Sequence, residues 1–427
     1  MKVLLLGGGG REHALGWKLA ASPRLTALLS APGNPGLADL GAVYPGFAPT
    51  DVDAVVDLAI ANDVDLVVVG PEAPLAAGVV DALTAAGIAA FGPTRAAARL
   101  ESSKAYAKEV MVRAGVPTGA SWTFRDLGDA AAHLASLPPP YVVKADGLAA
   151  GKGVLVTDDL IAAQAWARVC IEGHFGEAGR TVVVEEHLAG REVSVFAICD
   201  GTRALALQPA RDYKRLRDGD AGPNTGGMGA YSPPADLPGD LVDATLETVV
   251  APVLATLAAD GIAYRGFLYV GLMLTDDGMK VLEFNSRMGD PETQVLMPRL
   301  DDDLLDLLVT ATEGRLPDRP LRWNDLAAVD VVLAADGYPE APRSGDPIVG
   351  LDAAGALDDV VVFHAGTTRT VEGLVTSGGR VLNVVGTGID VPAARDAAYR
   401  GVGMVEFAGM QYRGDIAADA MIEGGTR

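Results

Sequence analysis

The first hundred residues alternate short apolar strands with amphipathic helices, and few folds accommodate that pattern. Residues 2–6 read as a strand, a Gly7–Gly10 turn follows, and a helix runs over residues 11–21. Residues 26–30 and 66–69 are further buried strands. Residues 51–62 and 76–86 carry helical spacing, the first through Val52, Val55, Val56 and Ala59. Such alternation predicts a parallel sheet covered on both faces, with ligand bound at the C-terminal ends of the strands. Three polar loops close on that edge: Gly7-Gly-Gly-Gly-Arg-Glu12, Ala31-Pro-Gly-Asn-Pro-Gly36 and Gly70-Pro-Glu-Ala-Pro74. Each alone is compatible with a plain turn; together they outline a substrate cleft. The first is a poor dinucleotide fingerprint. Glu12 stands where a third Gly or Ala is needed, and no acidic residue ends the second strand near Ser30. Its backbone amides still offer an anion site at a helix start.

A chain of 427 residues exceeds one ordinary core, so two to four domains are expected. The net charge of −22 argues against a nucleic-acid partner, and anionic small substrates must be caught by local basic residues and amides. Cys170 and Cys199 form no C-x-x-C, and His13, His133, His174, His187 and His364 have no metal-ligand spacing. The apolar run of residues 3–6 is too short for a signal peptide, and no apolar run approaches ~20 residues. The expectation is a cytoplasmic protein with no membrane span.

From about Glu101 the pattern changes. Ser102 or Ser103 caps a helix over residues 104–114 that stops at Gly115 and Pro117. Tyr141-Val-Val-Lys144 is a strand ending in a lysine, followed by the flap Ala145-Asp-Gly-Leu-Ala-Ala-Gly-Lys-Gly153 and a strand at 154–156. The flap lacks P-loop spacing and reads as a glycine loop over phosphates. Residues 181–188 form a strand entering a hinge. Its Glu185 carboxylate and Leu188 amide suit an adenine edge, and Glu192, opening the next strand, suits ribose hydroxyls. Solvated strand ends are the alternative. Asp212-Tyr-Lys-Arg215 and Gly222-Pro-Asn-Thr-Gly-Gly-Met-Gly229 read as one long polar loop of functional character. Residues 241–260 and 304–313 are helices, and 267–274 pairs with 280–284 as a hairpin. Residues 316–320 resemble a linker, and the last hundred residues form a small α+β unit with strands near 329–333, 361–363 and 381–385. Within it, Ser377-Gly-Gly-Arg380 is an anion nest or a simple turn.

Val281-Leu-Glu-Phe-Asn-Ser-Arg-Met-Gly-Asp-Pro-Glu292 carries the densest chemistry. Alternation along a strand puts Glu283 and Asn285 on one face. A carboxylate beside an amide oxygen is a hard-oxygen site of the kind Mg²⁺ uses when phosphates and water complete its shell. Arg287 is next on that face if the strand continues, where its guanidinium would hold a phosphoryl group or carboxylate. An edge strand with a solvated polar face is the alternative.

Lysine strand, glycine flap, E-x-x-L-x-x-x-E hinge and E-x-N strand, in that order, resemble the ATP-grasp superfamily. The chain is similar nearly end to end to its glycinamide ribonucleotide synthetase family, the phosphoribosylamine–glycine ligases. Gly7-Gly-Gly-Gly-Arg-Glu-His-Ala14, Ala31–Gly36, Gly70-Pro-Glu72, Phe91-Gly-Pro93, Lys144–Gly153, Ala210-Arg-Asp-Tyr-Lys-Arg215, Asn224-Thr-Gly-Gly-Met-Gly229 and Arg287-x-Gly-Asp-Pro-Glu292 carry the likeness. Met288 departs from the family's usual phenylalanine, which should alter packing before chemistry.

The resemblance implies a multidomain α/β and α+β chain. A Rossmann-like parallel-sheet domain (1–101) would precede an ATP-grasp core (102–328, lid 121–192) and a small C-terminal α+β domain (329–427). It implies ATP-driven ligation of glycine to 5-phosphoribosylamine through glycyl phosphate, in purine biosynthesis, with Mg²⁺ or Mn²⁺. By the same resemblance, Arg287, Lys144 and Asp212 are catalytic. Lys104, Lys144, Gly151, Lys152, Glu185, Leu188 and Glu192 bind ATP. Gly9, Asn34, Glu72, Lys214, Gly226 and Gly227 bind substrate, and Glu283 and Asn285 bind the metal. Partners are then small molecules, with no nucleic acid and no membrane, and a monomer without a second fused purine enzyme is expected. The rival readings are a dinucleotide-dependent oxidoreductase resting on the first 30 residues, a non-catalytic nucleotide sensor, and a ligase for a different acid.

Overall fold

The computed structural model of the chain describes residues 1–149 and 153–420, apart from the side chains of residues 177 and 178. Its first sheet is parallel, in the order Ala42–Val43, Ala27–Pro32, Lys2–Gly7, Leu66–Val69, Ala89–Phe91. The central strand is buried on both faces. Val3 and Leu5 join the core under helix Gly10–Ala20, while Leu4 and Leu6 join the one under helix Val52–Ala61. Only a continuous apolar run can occupy such a position. The predicted helix over 76–86 is two helices, Glu72–Ala77 and Val79–Ala85, broken where Gly78 takes φ +93°. Glu72 therefore sits in a first helical turn and not in a loop.

Residues 121–185 build a separate antiparallel sheet in the order Ser121–Phe124, Val182–Glu185, Tyr141–Ala145, Val154–Thr157. Helices Leu127–Ser136 and Leu160–Ile171 cover it around Ala130, Leu134, Val143, Ala163 and Val184. A second antiparallel sheet runs Ala204–Ala206, Arg191–Asp200, Arg265–Thr275, Gly278–Asn285. Helix Lys104–Ala114 packs behind it, started by Ser103, whose hydroxyl accepts the Tyr106 amide at 3.2 Å, and stopped by Gly115 at φ +67°. Beside it runs a helical stretch, Leu241–Ala259, which by length and hydropathy alone would cross a membrane. It is not an unbroken apolar run, since Asp243 and Glu247 interrupt it. Val249, Val250, Val253 and Leu257 of this stretch lie fully buried against the sheet, and Asp243 and Glu247 are on it too, so it reads as a core helix.

The last sheet is antiparallel, in the order Arg211–Asp212, Gly229–Ser232, Ala327–Ala334, Arg380–Gly388, Val360–His364. Two of its strands come from residues 211–232, so it crosses the expected boundary after residue 328. The expected long loop is thus largely strand, since Arg215–Arg217 and Ala221–Asn224 also pair with each other. Gly229–Ser232 is buried throughout, covering what would be an open edge of the C-terminal strands. Ser377-Gly-Gly-Arg380 is a turn and not an anion nest, because the Ser377 amide already donates to the Gly366 carbonyl at 2.8 Å.

Candidate active site

Strand Gly278–Asn285 carries a bulge. Glu283 lies opposite Gly271 and Val281 opposite Leu272, which leaves Leu282 without a partner. Beyond the bulge the alternation holds: Phe284 enters the core at 2% exposure while Glu283 and Asn285 stay half-buried on the other face. The strand ends at Asn285, so Arg287 does not continue it as expected. It folds back instead, and its Nη2 donates to Asn285 Oδ1 at 3.3 Å. Its Nε donates to Glu72 at 3.3 Å and its Nη2 pairs with Glu101 at 2.9 Å. Glu101, whose second oxygen accepts the Ser286 amide at 2.8 Å, escaped the sequence reading. Glu72, expected to face substrate, is here a partner of Arg287. Met288 is buried at 1% in the core shared with the first sheet.

Four cations surround Glu283. Burial raises a carboxyl pKa, but Lys214, Lys144, Lys104 and Arg287 together hold this one below the usual range. Among the described residues its carboxylate makes no hydrogen bond, so an ionised oxygen is available beside the Asn285 amide oxygen. That donor set fits a divalent cation. Among the described residues no three His, Cys, Asp or Glu side chains could chelate one alone, so phosphate oxygens and water would complete the shell.

Glu185 is the centre of a buried charge cluster. One carboxyl oxygen meets Lys144 Nζ at 3.0 Å, the other Lys108 Nζ at 3.0 Å. All three side chains are under 10% exposed. Burial would raise the Glu185 pKa, and the two ammonium groups overcome it. Lys108 was also missed in the sequence, although it lies one helical turn after Lys104 on the same helix; its Nζ donates to Thr118 as well, at 2.8 Å. Lys104 donates to the Gly147 carbonyl at 3.1 Å, and Asp146 accepts from Ser103 and from the Ala105 amide, both at 3.2 Å, so the flap's start is tied to this helix. Burial lowers the Lys104 pKa. Leu188 is 9% exposed in the hinge, and its amide has no hydrogen bond among the described residues. Gly151 and Lys152 lie outside the described residues.

Glu192 pairs with Lys214, and Lys214 stands 3.9 Å from Asp212. Burial opposes the Lys214 charge, but Asp212 and Glu192 raise its pKa well above the ordinary value. Glu292, buried at 4%, faces the same group; it accepts from Ser194 Oγ at 3.4 Å, and burial together with Asp212 pushes its pKa up to about 7. Glu292 had been only a letter in a motif.

The glycine turn is less open than expected. The Gly9 amide already donates to Glu12 Oε2 at 2.8 Å, and Glu12 lies so close over Gly7 and Gly70 that a Cβ there would come within 2.5 and 2.2 Å of it. A carboxylate thus takes the place of an anion at this helix start, which argues against a dinucleotide pyrophosphate. Asn34 is also engaged: its amide donates to the carbonyls of Gly8 at 3.0 Å and His364 at 2.8 Å, and its oxygen caps the Leu37 amide. His364 in turn gives its amide to His13 Nδ1 at 2.7 Å. Burial, with His364 adding, lowers His13 to about 3, and burial lowers His364 to about 4. Gly226 and Gly227 are held by Arg380 from the last sheet.

Similarity to known proteins runs the whole length. Models of the phosphoribosylglycinamide synthetase N domain, ATP-grasp (A) domain and C domain match residues 1–101, 102–293 and 328–419. A phosphoribosylamine–glycine ligase of Caulobacter vibrioides is 50% identical over 99% of both chains. One of Streptomyces coelicolor is 52% identical over 98% of this chain and 99% of its own. The crystal structure of phosphoribosylamine–glycine ligase from Thermotoga maritima superposes with a TM-score of 0.84 at 36% identity, covering 98% of this chain and 100% of that one. A biotin carboxylase of Campylobacter jejuni, at 16% identity and a TM-score of 0.75, shares the fold alone. With domain models matched in order along the chain and half of all residues shared with full-length relatives, the chain belongs to the phosphoribosylglycinamide synthetase family.

Proposed function

We propose that the chain joins glycine to 5-phosphoribosylamine at the expense of ATP, in purine biosynthesis, by way of glycyl phosphate. A glycine carboxylate oxygen attacks the γ-phosphorus, the bond to the β-phosphate oxygen breaks, and ADP leaves. The amine nitrogen then attacks the acyl carbon, phosphate departs, and the nitrogen gives up a proton. No protein nucleophile is required, so the chain's work is positioning and charge neutralisation. The observation carrying this reading is the ionised, unbonded Glu283 beside Asn285 within reach of four cationic side chains.

Lys104 and Lys144 hold phosphates, Glu185, Leu188 and Glu192 hold adenosine, and Arg287 steadies the transferring group. A Mg²⁺ or Mn²⁺ ion held by Glu283 and Asn285 would supply neutralisation of phosphate charge. Asp212, Lys214 and the loop at Gly226 and Gly227 shape the acceptor pocket, and Gly9, Asn34 and Glu72 border it. Glu72 reaches it through Arg287, and Asn34 by fixing the Gly8–Gly9 turn. The chain acts as a cytoplasmic monomer on small molecules. ADP release is the test, with glycine and phosphoribosylamine omitted in turn. Both are required if the reading is right; release that ignores glycine, or that another acid supports instead, overturns it.

A further inference from the structure

Arg380 opens strand Arg380–Gly388, and its side chain, 21% exposed, reaches residues far from it in sequence. Its Nη1 donates to the carbonyls of Gly226 at 2.7 Å and Asp290 at 2.6 Å, and reaches that of Gly227 at 3.5 Å. Its Nη2 stands 3.4 Å from the Asp290 carboxylate. One guanidinium therefore ties two separate arms together.

The first arm leads to Lys214. Thr225 Oγ1 accepts the Gly227 amide at 3.0 Å and donates to the Lys214 carbonyl at 2.9 Å, and the Thr225 amide donates to that carbonyl at 2.7 Å. Gly227 has φ +115°, and a Cβ there would lie 2.5 Å from Pro291 Cδ, so the arm is seated directly on the second one. The second arm, Asp290-Pro-Glu292, continues from Arg287. From the other side, Tyr338 Oη accepts the Gly226 amide at 3.0 Å.

We propose that Arg380 is a positioning residue that sets the spacing between the Lys214 arm and the Arg287–Glu292 arm, and with it the fit of the amine acceptor. This rests on the ligase reading above. The fork adds a second donor point: Nη1 alone serves the carbonyl groups, so a lysine could keep those contacts, but only Nη2 reaches the Asp290 carboxylate at the same time. A misplacement of ~1 Å between reacting groups is enough to lower turnover by about 100-fold.

The test compares the unmodified protein with Arg380→Met, Arg380→Lys and Tyr338→Phe, measuring ADP and ligated product with each substrate varied. Arg380→Met should raise the KM for phosphoribosylamine about tenfold and leave that for ATP within about twofold. ADP should be released in excess of product, because the acyl phosphate is formed but not captured. Arg380→Lys should recover only part of the coupling, and in a further variant, Arg380→Ala, added guanidinium ion should restore it while leaving Tyr338→Phe unchanged. If Arg380→Met fails to fold, Arg380→Lys and Tyr338→Phe carry the same comparison. Parallel changes for all three substrates, or none, overturn the inference alone. Absence of glycine- and amine-dependent ADP release in the unmodified protein overturns the ligase reading, and this inference with it.

Discussion

Glu185→Gln and Lys108→Met should differ in cost by a factor of about three, in a direction the charge cluster dictates. In the native protein one carboxylate separates two ammonium groups, all under 10% exposed, for a net charge of +1. Glu185→Gln leaves both lysines facing a neutral amide. Unit charges roughly 5 Å apart at an effective dielectric of ~20 repel by about 3 kcal/mol. Burial already lowers the Lys108 pKa, so shedding that proton relieves only part of the repulsion and does not replace the lost carboxylate. Stranding a buried charge by deleting its partner costs about 3–5 kcal/mol in other proteins, so a loss near 3 kcal/mol is expected. Lys108→Met is milder. Glu185 keeps Lys144, the pair becomes neutral, and Thr118 still donates to the Val281 carbonyl at 2.7 Å. About 1 kcal/mol is expected. Urea unfolding of the nucleotide-free protein reads both, provided the denaturant slope is unchanged. If Lys108→Met costs as much as Glu185→Gln, the carboxylate is not what holds the two lysines together, and the argument fails.

Glu283→Gln should lower turnover by at least ~100-fold, about 2.7 kcal/mol of transition-state stabilisation, with little change in unfolding; near-normal ADP release at saturating divalent cation would remove Glu283 from the metal site. His13 and His364 are lowered to about 3 and about 4, so the native state resists protons that the unfolded chain accepts. Their stabilisation is complete above about pH 6.5 and is lost as pH falls toward those values, by about 1.4 kcal/mol per histidine per unit. His13→Gln should flatten that loss between pH 6.5 and 5, and an unchanged slope counts against it. Glu292 has the opposite sign: raised from 4.5 to about 7, it favours the native state fully below about pH 4.5 and loses that contribution as pH rises through 7. Glu292→Gln should therefore gain stability relative to the native protein between pH 5 and 7.5; a constant difference across that range would show that Glu292 does not titrate there.

What was legible in the sequence was local. Residues 3–6 read as a doubly buried strand because four apolar residues in a row suit nothing else so well, and Ser103 with Gly115 marked both ends of a helix. Glu283 and Asn285 shared a face because alternation resumes after the bulge at Leu282. Local pattern could not show partners chosen at long range. Glu101, Lys108 and Arg380 acquire meaning only when Arg287, Glu185 and Gly226 arrive beside them. Lys108 did leave a trace, one turn after Lys104. The strands within residues 211–232 are two to four residues long and interrupted by glycine turns, and one of them, Gly229–Ser232, finds a partner only about a hundred residues onward, so they passed for loop. Gly9 and Asn34 were read as open to ligand because a sequence does not show that Glu12 and His364 already use their hydrogen bonds.

The sheet that joins residues 211–232 to the C-terminal strands also imposes an order on synthesis. Ser232 pairs with Ala328, so 96 residues separate the completion of one strand from the arrival of the other. At ribosomal rates of ~5–20 residues per second, Gly229–Ser232 waits about 5–20 s with its edge unpaired. During that interval Gly226 and Gly227 lack Arg380, and the half of the cleft built around Lys214 has nothing to brace it. The strands carrying Lys144, Glu185 and Glu283 are complete on the nascent chain well before Arg380 arrives. On the proposed assignments the chain thus completes its nucleotide contacts before its acceptor contacts are braced, and the last sheet to close is the one that joins the two.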